Sequence, residues 1–143
     1  MSLEFFYNNP EWLWVATVFY DLVIAVILFY FFGKEGLYAA VILGIVLANL
    51  QGGKVSDLNI MGFTFTVSMG AIMYSGIYFA TDLINEKYGR KEANKAVIMG
   101  AIANVIVMMT LLLSTFYLPS EVAKSSEKVH EAISTLAFYS PIF

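Results

Sequence analysis

Two carboxylates, Asp82 and Glu86, stand four residues apart near the end of a long apolar run. A carboxylate is costly to place where a membrane helix leaves the hydrocarbon, so each acid needs an ion-pair partner, water or a bound substrate. On a helix, Tyr78 and Asn85 would share a face with both acids. This face predicts a polar site that offers a hydroxyl, an amide and two carboxylates.

Both acids also have a simpler interpretation, as the solvated end of a helix whose charge is balanced by the basic residues that follow. Glu86 lies nearer the interface and fits this interpretation as well as a functional one. Asp82 lies one turn deeper, which favours a binding role or a buried polar network. Asp21, deep in an earlier apolar run, fits a paired structural acid and a functional acid equally.

Composition indicates an integral membrane protein. The chain has 143 residues, of which 59% are hydrophobic and 13% charged, far from the balance of a soluble domain. A net charge of −3 without a basic tract argues against nucleic-acid binding. There is no cysteine and one histidine, His130, so thiolate and His-rich metal sites are excluded. Nucleotide-binding and metalloprotease motifs are absent as well, so neither an enzyme nor a cofactor is predicted.

Hydropathy divides residues 1–143, taken as one membrane domain, into four spans of an all-α polytopic helical bundle. These predicted spans are about residues 12–32, 37–51, 62–84 and 96–118. The short second span ends in two glycines, which fit a helix cap with a loop or a broken helix at a transporter site. Basic residues crowd the predicted loop 85–95, which places this loop in the cytoplasm and the N-terminus outside.

The segment from Thr81 to Ala93 resembles the hallmark of the queuosine precursor transporter family, also described as the vitamin uptake transporter family. The hallmark reads Thr-Asp-x-x-Asn-Glu-x-Tyr-Gly-x-x-x-Ala, and every specified position is matched. Asn49 resembles an asparagine that the family carries at the end of its preceding helix. The resemblance covers roughly residues 40–115. It implies uptake of 7-deazaguanine precursors of queuosine, preQ0 or preQ1, across the cell membrane by a facilitator or secondary carrier.

The resemblance and the residue types together suggest a substrate-binding set. Either Asp82 or Glu86 would read the edge of the substrate, while Asn49 and Asn85 would complete the polar groups around it. Tyr78 or a neighbouring aromatic residue would stack on its face. A carboxylate can accept two parallel hydrogen bonds from the N1–H and exocyclic amine of a guanine-like edge. An aromatic ring can stack on the flat bicycle. Members of the family normally have about six spans, so we expect an incomplete C-terminal end and an extra leading helix. A continuation, a second chain or a second copy in a homodimer would then complete the pocket.

Two other functions fit the same residues. The chain could be a binding module that passes its ligand to a separate ATP-driven uptake complex. It could also be a non-transporting structural subunit of the membrane whose acids only pair with Arg or Lys.

Overall fold

The computed structural model describes residues 3–120 and 124–139, and most of these residues are helical. The mainly helical architecture predicted from hydropathy is therefore confirmed. Two strands interrupt the helices, which makes a purely α-helical fold wrong in that detail. In chain order the elements are α1 (Leu3–Asn8), α2 (Pro10–Gln51), β1 (Val55–Ile60), β2 (Phe63–Ser68), α3 (Met69–Ile72), α4 (Tyr74–Tyr88), α5 (Arg90–Ser114) and α6 (Lys124–Tyr139).

Helix α2 reverses direction at a single residue, Gly33, whose φ of 58° and ψ of −129° are not helical. Only glycine adopts this region of backbone space without strain. The arm before Gly33 (residues 10–32) then packs against the arm after it (residues 34–51). Gly36 touches the backbone of Leu28 so closely that a Cβ would collide with it. The two segments predicted as separate spans, 12–32 and 37–51, are accordingly separate helical arms joined by a one-residue turn.

A β-hairpin occupies the segment where the third span was expected to begin. Strands β1 and β2 pair antiparallel, with Ile60 opposite Phe63, and both turn residues, Met61 and Gly62, have positive φ. Residues 63–68 alternate apolar and polar side chains, which is the period of a strand. A helical span starting at residue 62 is therefore wrong, because this alternation was counted as part of one continuous apolar run.

The predicted loop 85–95 is helical apart from one residue. Helix α4 ends at Tyr88 and α5 begins at Arg90, so Gly89 alone separates them. Its φ of 89° and ψ of 163° are again open only to glycine without strain. The Gly89 N–H donates to the Asn85 carbonyl, and its own carbonyl accepts the backbone N–H groups of Glu92 and Ala93. The basic residues that suggested a loop instead occupy the two helix ends.

Two helices among the described residues are long and apolar enough to cross a membrane by length and composition, Pro10–Gln51 and Arg90–Ser114. The first arm of α2 would extend about 34 Å and the second about 27 Å, against roughly 30 Å of hydrocarbon. Helix α4 has 15 residues, fewer than the roughly 20 that a full crossing requires.

The core lies where the second arm of α2 packs against α4 and α5. Small residues allow these helices to approach closely: Gly44 faces Ile77 and Gly100 faces Ile45, with no room for a Cβ at either glycine. The buried cluster consists of Leu37, Val41, Ala48, Ile72, Met73, Ile77, Ala80, Ile84, Ala93 and Ala96. This packing sets α4 and α5 beside α2 in the structure and thereby positions the polar residues described next.

Candidate functional site

Helix α4 has one face in the core and an adjacent face that carries polar and aromatic side chains. Ile77, Ala80 and Ile84 are buried, and their spacing of three, four and seven residues is that of one helix face. Tyr78 and Asp82 follow at neighbouring positions and are exposed. Burial of the apolar face thus directs the predicted binding residues away from the core.

A cavity of about 590 Å³ lies between this face of α4 and the start of α5, with Ile45 of α2 also in its wall. We call it the aromatic cavity. Its lining residues are Ile45, Tyr74, Ile77, Tyr78, Thr81, Asp82, Asn85, Arg90, Ala93, Asn94 and Val97. The cavity therefore offers a carboxylate and an amide from α4, facing a guanidinium and a second amide from α5.

Two tyrosines form one wall of the aromatic cavity. The rings of Tyr74 and Tyr78 are tilted by 31°, with centroids 6.1 Å apart, within the usual range for aromatic pairs. The Tyr78 side chain is 65% exposed, so a large part of its surface is open to a ligand. A flat heterocycle could stack against this wall while polar groups at its edge reach the carboxylate and amides.

The structure brings together three of the five residues predicted to bind substrate: Tyr78, Asp82 and Asn85 all line the aromatic cavity. Glu86 is exposed and is not among the lining residues. Asn49 lines a second cavity of about 370 Å³, and its side chain donates to the Ile45 carbonyl at 2.9 Å.

The Asn49 cavity adjoins the aromatic cavity, because Ile45 and Tyr74 line both. Asn104, which is 3% exposed, also lines the Asn49 cavity. Asn49 therefore lies near the other predicted residues but does not line the aromatic cavity.

Sequence reasoning missed Tyr74, Arg90 and Asn94 as cavity residues. Arg90 and Asn94 are four residues apart, a spacing that places them on one face of a helix. The spacing of Arg90 and Asn94 could therefore have indicated a shared face, but it was overlooked because residues 85–95 were predicted to form a loop and not a helix. Within residues 3–120 and 124–139, neither Asp82 nor Arg90 takes part in an ion pair.

A second polar cluster joins the Gly33 turn to the start of α5. Lys34 Nζ lies 3.1 Å from Glu92 Oε2, and the Tyr38 hydroxyl donates to the same oxygen. The Lys34 ammonium also lies 5.9 Å from the centre of the Tyr88 ring, within cation–π range. This cluster joins the Gly33 turn of α2, the end of α4 and the start of α5 beside the aromatic cavity.

Comparison with known proteins places these residues in a family. The family model described as "Putative vitamin uptake transporter" matches residues 68–142, more than half of the chain. The chain belongs to the vitamin uptake transporter family. The family is one of transporters rather than enzymes, and the membrane-length helices agree with it.

A curated relative from Bacillus subtilis (strain 168), named "Probable queuosine precursor transporter", is 42% identical over 111 residues. The match covers 77% of this chain and 42% of the relative, so the chain spans less than half of that protein's length. No solved structure matches the chain.

Hallmark residues of the vitamin uptake transporter family have structural roles here as well as chemical ones. Thr81 bonds back to the Ile77 carbonyl at 2.7 Å, and Gly89 makes the one-residue break between α4 and α5. Ala93 is buried where α5 meets the core. The hallmark therefore encodes both the corner between two helices and the Asp82 and Asn85 groups that line the cavity beside it.

Proposed function

We propose that this chain binds 7-deazaguanine precursors of queuosine, preQ0 or preQ1, and takes part in their uptake across the cell membrane as a facilitator or secondary carrier. One observation supports the proposal above all: Asp82, Asn85, Arg90 and two tyrosine rings line a single cavity in a member of a vitamin uptake transporter family. The name of the Bacillus subtilis relative narrows the vitamin to a queuosine precursor.

The proposed recognition uses the edge and the face of the bicycle separately. The Asp82 carboxylate accepts from the N1–H and the exocyclic amine, the bidentate arrangement that gives both strength and orientation. The Tyr78 ring covers one face of the bicycle, next to Tyr74. Arg90 and Asn94 approach from α5 and can donate to the carbonyl oxygen of the ligand. Glu86 has no direct role in this arrangement, because it lies outside the cavity.

Uptake in cells tests this proposal. A bacterial strain unable to make queuosine precursors receives the protein and external preQ0 or preQ1, and queuosine in its tRNA is measured. We expect the wild-type chain and Glu86→Gln to restore queuosine. Asp82→Asn should reduce initial uptake by about tenfold or more, because a hydrogen bond to a charged group contributes roughly 1.5–3 kcal/mol.

Failure of the wild-type chain to restore queuosine, at a verified level in the membrane, would overturn the proposal. Equal uptake by Asp82→Asn and wild type would overturn the recognition arrangement. Uptake that depends on a copurifying nucleotide-binding subunit would instead identify the chain as a binding module.

A further inference from the structure

Asp21 is an acidic side chain that the proposed substrate site does not use. It lies midway along the first arm of α2, about 17 Å from either end at 1.5 Å per residue. Its Oδ2 accepts the backbone N–H of Gly76 at 2.7 Å and lies 3.2 Å from the Ser75 hydroxyl. Both donors belong to the first turn of α4, whose N–H groups have no partner within their own helix. Asp21 thus attaches the beginning of α4 to α2.

The contact between Asp21 and α4 is too close for any side chain at residue 76. A Cβ on Gly76 would lie 2.6 Å from the Asp21 Cγ, a distance that forces one of the two groups to move. Glycine at this position therefore allows the carboxylate to reach the backbone directly. The Ser75 hydroxyl also lies 2.8 Å from the Ile72 carbonyl oxygen, so its single proton can serve either acceptor.

Apart from the two donors on α4, the residues around Asp21 are mainly apolar. A cavity of about 220 Å³ adjoins it, lined by Tyr20, Asp21, Ile24, Ala25, Ala40, Leu43, Gly44, Leu47, Met73 and Gly76. The second arm of α2 contributes apolar residues to this wall, and the residues around the start of α4 contribute Met73 and Gly76. Among these lining residues, Tyr20, on the same arm as Asp21, is the other titratable group. A carboxylate in such a setting can lose its charge by binding a proton.

We propose that Asp21 binds and releases a proton during transport and thereby controls the position of α4. The proposal rests on the proposed transport function. The charged carboxylate accepts the Gly76 N–H and holds the first turn of α4 against α2. Protonation weakens that acceptor. Helix α4 can then move and carry with it Tyr78 and Asp82 in the wall of the aromatic cavity. Suppose that protonation of Asp21 changes the affinity for a substrate that prefers one position of α4. By linkage, binding of that substrate then changes the proton affinity of Asp21 by the same factor.

Cysteine labelling tests the movement without any substrate, because the chain contains no cysteine of its own. Thr81→Cys places a thiol in the aromatic cavity, and its labelling rate in membranes is measured at acidic and neutral pH. The same rate is measured for Thr81→Cys in an Asp21→Asn background. The ratio of the two labelling rates cancels the pH dependence of thiol chemistry, which affects both proteins equally. We expect this ratio to change by about fivefold or more between the two pH values, the lower range of coupling between sites.

Matched variants separate the charge of Asp21 from a general effect on folding. Asp57→Asn removes an exposed acid that accepts from Thr66 in the hairpin and should leave the pH profile of labelling as in wild type. Ser75→Ala retains Asp21 and should shift the midpoint of that profile, because one donor to the carboxylate is gone. Ser75→Ala also serves as the test if Asp21→Asn does not accumulate. A ratio that is flat with pH, or an unchanged Ser75→Ala midpoint, would overturn the role of Asp21.

Binding and uptake of preQ0 or preQ1 distinguish the Asp21 proposal from the proposed transport function. We expect Asp21→Asn to bind and exchange preQ0 or preQ1 while its uptake no longer varies with external pH. A pH-dependent labelling ratio without any deazaguanine uptake would refute the proposed function and support the Asp21 switch. A flat ratio with normal uptake would refute the switch alone.

Discussion

At the scale of single residues, the candidate site combines opposite charges with an aromatic wall. Asp82 and Arg90 belong to different helices that enclose the same cavity, and Tyr78 presents an exposed ring between the polar groups and Tyr74. A planar ligand with donors and acceptors on its edge fits this combination better than a simple cation or anion, because charges of both signs line the cavity.

Substitution of Tyr78 tests stacking separately from hydrogen bonding. Tyr78→Leu should weaken preQ0 or preQ1 binding by about fivefold or more, because stacking on an aromatic side chain contributes roughly 1–3 kcal/mol per base. Tyr78→Phe keeps the ring and serves as the control, with affinity within about twofold of wild type. Calorimetry on the detergent-purified protein gives both values. An equal loss in the two variants would show that the hydroxyl, and not the ring, contacts the ligand.

At the scale of elements, two glycines set the geometry of the site. Gly33 reverses α2, and Gly89 joins α4 to α5 without a loop. Within the described part of the chain, no atom beyond the immediate neighbours lies within 4 Å of where a Cβ would be at either residue, so the backbone conformation is what demands glycine there. Gly89 in particular brings Arg90 next to the end of the helix that carries Asp82 and Asn85.

Gly89→Ala should therefore destabilise the fold by about 1–3 kcal/mol, the usual cost of a non-glycine residue in this backbone region. Gly53→Ala is the matched control, since Gly53 is exposed and is not among the glycines with positive φ. Its effect should stay within about 0.5 kcal/mol. Thermal unfolding in detergent compares the two. A Gly89→Ala protein as stable as Gly53→Ala would contradict the role of Gly89 as the one-residue break between α4 and α5.

The helices and part of the site could be predicted from sequence because their signals are local. The apolar runs marked both arms of α2, and the four-residue spacing grouped Tyr78 with Asp82. The hairpin was missed because Phe63, Phe65 and Val67 are as apolar as a membrane helix requires, and only their alternation indicates a strand. Arg90 was missed because a one-residue break at Gly89 has no signal in hydropathy, and a run of charged residues ordinarily indicates a loop.

At the scale of the whole molecule, five of the eight basic residues gather at one end. Lys34 at the Gly33 turn contacts Glu92 at the start of α5, and Lys87 lies 4.5 Å from the centre of the Phe29 ring. Lys87, Arg90, Lys91 and Lys95 flank the Gly89 corner at this same end. The β-hairpin lies at the opposite end, where Leu58 and Ile60 adjoin Trp12. The positive-inside rule predicts that the Gly89 end faces the cytoplasm.

Labelling of single cysteines in intact cells tests this orientation. Met61→Cys, at the hairpin turn where the side chain is 95% exposed, should react with a membrane-impermeant thiol reagent. Lys91→Cys, near the Gly89 corner, should react only after the membrane is permeabilised. The unmodified chain, which lacks cysteine, is the blank. The reverse pattern would show that the hairpin faces the cytoplasm.

The thermal stability of the detergent-purified chain, measured with preQ0, preQ1, guanine, queuine and unrelated vitamins, tests for a deazaguanine site in the aromatic cavity. A ligand at about one hundred times its Kd should stabilise the folded form by roughly 2.7 kcal/mol. We predict a selective, concentration-dependent rise in Tm with preQ0 or preQ1, present in Glu86→Gln and strongly reduced in Asp82→Asn. No rise in Tm with either compound, or an equal rise in wild type and Asp82→Asn, would contradict a deazaguanine site that uses Asp82.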